Sequence, residues 1–222
     1  MSSETLTLIS ATPSPFARMN RVALELKGIP FTLQNEIPWQ SETQTPKYNP
    51  LEKLPILLFP DGRPPVYDSA HIQEYIIQKY SDRKPLLLTG DIDLDLHARQ
   101  IQVLSEGILD AAVLQFWETQ RGEHKSNEWM ARQNRKIDGG MKALEQLTRE
   151  RGYQGKEYLV GDELTIADIA AVCAIGHIDF VKIREGWQEQ ETSLARWWTN
   201  LESREYFRHT RPVMFEFREL VV

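Results

Sequence analysis

The spacing of apolar positions changes along this chain, and the change falls near residue 82. Before it, short apolar runs with alternating polar positions are typical of strands and are separated by two helical patterns. Strands are predicted at residues 6–9, 29–36, 54–59 and 65–67, and helices at residues 16–27 and from residue 68 onward. A polar, turn-rich stretch at residues 38–50 is predicted to be a loop with a short helix near residues 43–48. This order, βαβ, loop, ββα, indicates a small α/β unit.

From residue 91 onward, apolar residues recur at helical spacing and no strand is predicted. Ile101, Leu104 and Ile108 belong to one apolar stripe of a long helix at residues 92–118. Further helices are predicted at residues 128–151, 169–180, 193–201 and 203–220. We therefore predict two domains, residues 1–81 and residues 91–222, which are joined by a linker at residues 82–90.

Thr165 and Asp168 stand at the start of the most apolar of these helices, with the spacing of a capping box. In such a box the side chain of each residue can hydrogen-bond to the backbone of the other. Because residues 169–180 are almost wholly apolar, this helix is predicted to be buried on most sides. We assign the pair to folding and not to chemistry, and Cys173 within the helix to the core.

Composition excludes several classes of partner. With 26 Lys and Arg against 32 Asp and Glu, the net charge is −6, and no long basic run indicates nucleic-acid binding. No apolar stretch approaches the length of about 20 residues that spans a membrane, and the N-terminus lacks the pattern of a signal peptide. One cysteine excludes an internal disulfide, and the five histidines lack metal-ligand spacing. We therefore expect a cytoplasmic protein that binds no metal, no nucleic acid and no membrane.

The turn between the first strand and the first helix carries the candidate chemistry. Ser14 is suited to the N-cap of that helix, and Pro15 is suited to its first turn. A helix start presents unpaired N–H groups and a partial positive charge, so the Ser14 hydroxyl lies where an anion would be stabilised. Taken alone, the stretch favours a plain helix cap.

Four stretches, in order and spacing, resemble the cytosolic glutathione transferase superfamily. They are Ser14-Pro-Phe-Ala-Arg18, Asn49-Pro-Leu-Glu-Lys-Leu-Pro55, Asp68-Ser69 at a helix start, and Gly161-Asp-Glu-Leu-Thr-Ile-Ala-Asp168. The chain looks closest to bacterial and fungal members with a Ser-Pro-Phe turn. This resemblance implies an α/β thioredoxin-like N-terminal domain followed by an all-α C-terminal helical bundle.

Two departures from related classes bear on the chemistry. Residues 6–13 contain no Tyr, whereas mammalian-type transferases place a catalytic Tyr at the end of the first strand. Omega-like and glutaredoxin-like relatives have Cys in the turn, where this chain has Ser14. The missing Cys argues against exchange through a mixed disulfide with the protein.

The resemblance implies glutathione as co-substrate, with its sulfur held as the thiolate. A free thiol has a pKa of about 8.5, and lowering it by two units requires roughly 2.7 kcal/mol of preference for the anion. Ser14 is the expected catalytic residue, as the hydroxyl that donates to this thiolate. Thr12 and Ser10 are the rival hydroxyls.

Further contacts with glutathione are implied along the first domain. The bond before Pro55 is expected to be cis, and the backbone of Leu54 is expected to pair with the cysteinyl part of glutathione. Lys53 is either a partner of the glycyl carboxylate or a solvated surface charge. Asp68 is expected to bind the ammonium group of the γ-glutamyl part, and the helix start at Ser69 its carboxylate.

Glu106 is the implied contact from the second domain. It resembles a carboxylate that reaches across a homodimer to the partner's glutathione, although a solvated helix charge is an equal explanation. Phe16 is assigned to the glutathione site and to the wall of a pocket for a small electrophile. The other candidate walls are Leu109, Val113, Phe116 and Trp117.

The function that we expect is a homodimeric glutathione transferase that conjugates glutathione to a hydrophobic electrophile, a detoxifying reaction. One alternative is a glutathione-dependent peroxidase or reductase, which also begins with a thiolate but ends in glutathione disulfide. Another is a non-catalytic binding protein with the same fold.

Overall fold

The computed structural model describes residues 5–214, which divide into two compact units. The first unit contains residues 5–86 and 209–214, and the second contains residues 87–208. The domain boundaries at residues 81 and 91 stay a prediction from the sequence. No helix in the described part of the chain has both the length and the apolar character needed to cross a membrane.

The first unit is built on a mixed sheet of three strands. These strands are β1 (Leu6–Ser10), β2 (Phe31–Asn35) and β3 (Ile56–Leu58). Their order is β2-β1-β3, with β1 parallel to β2 and antiparallel to β3. Leu8 and Ile9 of the central strand β1 point to opposite faces of the sheet, and both are fully buried, so the sheet is covered on both faces at this strand.

Three helices complete this unit, as the sequence predicted. They are α1 (Pro15–Leu26), α2 (Thr45–Tyr48) and α3 (Ser69–Lys79). Helix α1 connects the parallel strands β1 and β2, and it packs against α3. The site described below lies at the starts of α1 and α3.

The predicted fourth strand at residues 65–67 was wrong. The structure has one isolated bridge there, in which Leu57 and Val66 exchange two backbone hydrogen bonds of 2.8 and 3.0 Å. Pro64 and Pro65 precede Val66 and carry no N–H, so they cannot extend a ladder of hydrogen bonds.

The second unit is helical. Its helices are α4 (Ile92–Thr119), α5 (Asn127–Tyr153), α6 (Ile166–Val181), α7 (Trp187–Gln190), α8 (Thr192–Glu202) and α9 (Glu205–Arg208). Helix α6 contacts α4 and α8, and all its residues from Ile166 to Ile178 are buried, as its apolar sequence predicted. Helix α5 packs against α4 and α8.

The predicted helix at residues 203–220 was wrong in its described part. Only α9 is helical, and residues 209–214 are not. Pro212 has no N–H and disfavours a helical conformation in the residue before it. Thr210 instead accepts a hydrogen bond from Arg18 Nε of α1, at 3.3 Å. Residues 215–220 of the prediction lie outside the described residues.

The capping box predicted at the start of α6 is present. Asp168 is fully buried, and its Oδ1 accepts the N–H of Leu159 at 2.8 Å. Its Oδ2 accepts the N–H of Thr165 at 2.8 Å and the Thr165 hydroxyl at 3.1 Å. Burial raises the pKa of Asp168 to about 6, even though these three donors favour the carboxylate.

Candidate functional site

Ser14 is the N-cap of α1, as predicted. Its half-buried hydroxyl oxygen accepts the N–H of Ala17 at 3.2 Å, and Pro15 follows in the first turn. Among residues 5–214, neither the hydroxyl hydrogen of Ser14 nor the N–H of Phe16 has an acceptor. Since the hydroxyl only accepts, it remains able to donate to an anion.

Burial separates the two rival hydroxyls. Ser10 is fully buried, and its hydroxyl donates to the Ala11 carbonyl at 3.3 Å, so it is closed to a ligand. Thr12 is half-buried, and its carbonyl accepts the N–H of Val213 at 3.4 Å. Ser14 and Thr12 are the two hydroxyls of this turn that a ligand can reach.

The Leu54–Pro55 peptide bond is cis, as the resemblance implied. Leu54 is half-buried, and neither its N–H nor its C=O has a hydrogen-bond partner within residues 5–214. An extended peptide that lay alongside could therefore pair with this backbone as an added strand does. The Lys53 side chain is exposed.

Asn49, almost completely buried, holds the loop that leads to Leu54. Its Nδ2 donates to the Lys53 carbonyl at 2.8 Å, and its Oδ1 accepts the N–H of Leu51 at 3.0 Å. In a trans peptide the C=O and the following N–H point in opposite directions, so fixing the Lys53 carbonyl also fixes the Leu54 N–H. Asn49 belongs to the stretch from Asn49 to Pro55 that was singled out in the sequence, but no role was predicted for it there.

Asp68 and Ser69 open α3, as predicted. Exposed Asp68 is the N-cap, and its carboxylate accepts the N–H of His71 at 3.3 Å. The N–H groups of Ser69 and Ala70 have no partner in the described part of the chain. Such open N–H groups at a helix start can bind a carboxylate.

The Ser69 hydroxyl is already occupied, which the sequence did not reveal. It donates to the Phe16 carbonyl of α1 at 3.0 Å and accepts Nδ2 of Asn20 at 2.8 Å. The same Nδ2 lies 3.1 Å from the Phe16 carbonyl. The starts of α1 and α3 are therefore joined by hydrogen bonds. The sequence signal for Asn20 was an amide on the helical face that carries the apolar residues Ala17, Ala23 and Leu24.

Glu106 lies on α4 in the second unit. It is half-buried, and its Oε1 accepts Nε2 of Gln102 at 3.1 Å. Of the candidate pocket walls on this helix, Leu109 is fully buried in the core. Phe116 and Trp117 are half-buried and make an edge-to-face contact with ring centroids 5.2 Å apart.

Within residues 5–214 no group of three His, Cys, Asp or Glu side chains is placed to hold a metal ion. Cys173 is buried in α6, where the sequence predicted a core residue.

Comparisons with known proteins agree with this geometry. Residues 13–79 match the model of the glutathione S-transferase N-terminal domain, and residues 109–205 match that of the C-terminal domain. The uncharacterized GST-like protein YibF of Escherichia coli K12 is 33% identical over 92% of this chain and 98% of YibF. The chain belongs to the glutathione transferase superfamily. Glutathione S-transferase 1 of Dianthus caryophyllus is 32% identical over 76% of each chain.

Solved structures of bacterial transferases confirm the fold class. The glutathione S-transferase of Methylobacterium radiotolerans, in complex with glutathione sulfonate, is 42% identical. The match covers 98% of this chain and 100% of that one, with a TM-score of 0.89. A transferase of Methylobacillus flagellatus with glutathione bound is 28% identical over 94% of this chain and 100% of the other, with a TM-score of 0.85. The first unit of this superfamily member is thioredoxin-like, and its second unit is mostly helical.

Proposed function

We propose that this protein is a glutathione transferase that binds glutathione on the first unit and conjugates its thiolate to a hydrophobic electrophile. The observation that carries the proposal is the joining of two open helix starts, α1 and α3, by the hydrogen bond between Ser69 and the Phe16 carbonyl. One start offers the unused hydroxyl hydrogen of Ser14, and the other offers two unpaired N–H groups. The bacterial relatives with bound glutathione or its sulfonate support this assignment.

Each part of glutathione has a proposed partner. Its γ-glutamyl carboxylate binds the N–H groups at the start of α3, and Asp68 binds its ammonium group. The cysteinyl backbone pairs with Leu54 beside the cis Pro55. Lys53, exposed beside Leu54, binds the glycyl carboxylate.

Catalysis in this proposal is activation of a thiol. The Ser14 hydroxyl donates to the sulfur, and the positive end of α1 adds to the preference for the anion. The thiol proton leaves to solvent, and the thiolate attacks an electrophilic carbon that is held nearby. The sulfur–carbon bond forms as the leaving group departs or as an activated double bond takes up the electron pair. Phe16, half-buried in the first turn of α1, is the proposed wall beside the sulfur.

The proposed assembly is a homodimer. Large apolar residues stand exposed along one stripe of α4, with fractional exposures of 81% for Ile92, 67% for Leu96 and 60% for Val103. At 100° per residue these three lie within about 40° of one another around the helix. Glu106, three residues after Val103, lies beside this stripe, and in the proposed dimer it contacts the partner's glutathione. Val103→Glu should shift the protein to a monomer in sedimentation, and an unchanged sedimentation coefficient would remove this part of the proposal.

Titration of the thiol of bound glutathione tests the function. In the wild type its pKa should lie well below the free value of about 8.5, and Ser14→Ala should raise it and lower kcat/KM by about 100-fold. Ser126→Ala is the matched control, because Ser126 also caps a helix, α5, by accepting the N–H of Trp129 at 3.1 Å. It should leave the thiol and kcat/KM unchanged.

Two results would change the assignment. If bound glutathione ionises no more readily than free glutathione, the thiolate mechanism is wrong. If Ser14→Ala remains active and Thr12→Ala does not, the donor is Thr12. Product analysis separates conjugation, which yields a thioether, from glutathione-dependent reduction, which yields glutathione disulfide.

A further inference from the structure

Asn20 is a buried amide between the two helix starts. It is fully buried on α1, and its Nδ2 contacts both the Ser69 hydroxyl oxygen, at 2.8 Å, and the Phe16 carbonyl, at 3.1 Å. Its Oδ1 has no hydrogen-bond partner in the described part of the chain.

Packing alone does not explain an amide at this position. A buried acceptor without a partner lowers stability, because it has lost its water and gained no hydrogen bond. A small apolar side chain would fill the space without that loss. The two hydrogen bonds that Asn20 Nδ2 donates are therefore what an apolar side chain could not provide, and they require a functional explanation.

The amide sets the direction of the hydrogen bonds around it. Because Nδ2 can only donate, the Ser69 oxygen must accept from Asn20, and the Ser69 hydrogen goes to the Phe16 carbonyl. In this arrangement the Ser69 hydroxyl hydrogen is directed to the Phe16 carbonyl, and the backbone N–H groups of Ser69 and Ala70 are left open to a ligand carboxylate. The bonds also fix these N–H groups relative to the first turn of α1, which carries Ser14.

We infer that Asn20 is a positioning residue for the γ-glutamyl end of glutathione. It holds the start of α3 at a set distance from the thiolate donor on α1, so that one tripeptide can reach both. It contacts neither end of the ligand. This inference rests on the proposed function, in which the start of α3 binds the γ-glutamyl carboxylate.

The experiment compares two ligands on four variants. Glutathione is the first ligand, and cysteinylglycine, which lacks the γ-glutamyl residue, is the second. Asn20→Ala should raise the KM and the Kd for glutathione by about three- to tenfold, the worth of an ordinary hydrogen bond. It should leave kcat, the pKa of the bound thiol and the Kd of cysteinylglycine unchanged, because Ser14 and Leu54 are not altered.

The other variants show whether Asn20 acts through Ser69. Ser69→Ala should give the same loss, and the double variant should lose little more than either single one. Asn200→Ala is the matched control, since this exposed amide in the second unit makes one bond of 3.1 Å, to Glu157. Its KM for glutathione should equal that of the wild type. If Asn20→Ala does not fold, Asn20→Ser carries the test, because its hydroxyl is too short to bridge both acceptors.

The failures can be told apart. If the wild type binds no glutathione, the proposed function and this inference are both overturned. If the wild type binds glutathione and the Asn20 variants bind it equally well, only the inference is overturned. An equal loss for both ligands, or a fall in kcat, also overturns it, because Asn20 would then act on more than the γ-glutamyl end.

Discussion

The helix starts of the first unit differ from the start of α6 in the second unit in how much hydrogen-bonding capacity is left unused. At the start of α6, both carboxylate oxygens of Asp168 are occupied by three donors, and the group is fully buried. At the start of α1, Ser14 accepts one N–H and keeps its own hydrogen, and at α3 the N–H groups of Ser69 and Ala70 remain open.

We expect this difference to separate a scaffold from a binding site. Saturated, buried hydrogen bonds add to the stability of one conformation and offer nothing to a ligand. Open N–H groups at a helix start are solvated in the free protein and can exchange water for an anion. Residues of similar type, Ser or Thr with Asp, are therefore expected to stabilise the fold in the second unit and to bind a ligand in the first. Substitutions in one unit should change stability, and those in the other should change binding.

The largest expected effect comes from Asp168→Ala. It would leave the buried N–H groups of Leu159 and Thr165 without acceptors, and the free energy of unfolding should fall by about 3–5 kcal/mol. Denaturant unfolding measures this loss. The folded fraction should still bind glutathione with the wild-type Kd.

Asp68→Ala, at the start of α3, should have the opposite effect to Asp168→Ala, with a small loss of stability and a larger loss of affinity. Asp68 is exposed and caps α3 with one bond of 3.3 Å, so the variant should lose only about 1 kcal/mol of stability. Its affinity for glutathione should nevertheless fall by about tenfold or more, because the ammonium group loses a charged partner. If the two variants lose stability and affinity in equal proportion, the contrast between the units is wrong.

The pH dependence of stability is the second test. The folded-state pKa of Asp168, about 6, lies above its ordinary value of 3.8, so the folded protein binds more protons than the unfolded chain between these values. Stability should therefore rise as the pH falls from about 7 to about 4, by about 3 kcal/mol from this group.

Asp168→Asn isolates that contribution. The amide does not titrate, and the contributions of all other titratable groups cancel when the unfolding free energies of the two proteins are subtracted. The stability of the wild type relative to this variant should increase on acidification through that range, as measured by urea unfolding. Parallel curves for the two proteins would contradict the raised pKa.

A pair of adjacent glycines in α5 gives the third test. A Cβ added at Gly140 would lie 2.7 Å from Cδ1 of Ile108, which is buried on α4, whereas one added at Gly139 would meet nothing within 4 Å. Gly140→Ala should lower the free energy of unfolding by about 1–3 kcal/mol through overpacking. Gly139→Ala should raise it by up to about 1 kcal/mol, since Ala is the better helix former.

Both glycine variants should keep the wild-type Kd for glutathione, because α5 belongs to the scaffold of the second unit. Thermal unfolding and calorimetric binding on the same samples check the two statements. A change in Kd for Gly140→Ala would show that the packing of α4 against α5 reaches the binding site.

The short helix α7 was not predicted, but local patterns in the sequence were sufficient for the capping box, for the Ser14 cap and for helices α4, α5, α6 and α8. In each case the deciding residues lie within a few positions of one another, so spacing alone carries the information. The predicted strand at residues 65–67 was wrong for a local reason that is visible in the sequence, namely the two prolines before Val66.

The bonds that shape the candidate site could not be predicted in this way. Asn20 and Ser69 are 49 positions apart, and only the packing of α1 against α3 brings them together. Arg18 and Thr210 are 192 positions apart, and their bond holds residues that the sequence assigned to a helix. The sequence therefore predicted Ser69 as a site residue at the start of α3, but it could not show that the Ser69 hydroxyl joins α3 to α1.

The smallest expected effect comes from Thr165→Ala, which tests how the Thr165 hydroxyl acts at the start of α6. The Thr165 hydroxyl donates to Asp168 at 3.1 Å, so its loss should cost about 1 kcal/mol of stability. Because this bond favours the carboxylate, its removal should also raise the pKa of Asp168 further and move the acid-side gain in stability to higher pH. Ser126→Ala should cost a similar amount, since it removes the cap of α5, but it should leave the pH profile in place. Unfolding curves across pH for the two variants decide the matter, and identical profiles would mean that the Thr165 hydroxyl acts on the backbone of α6 and not on Asp168.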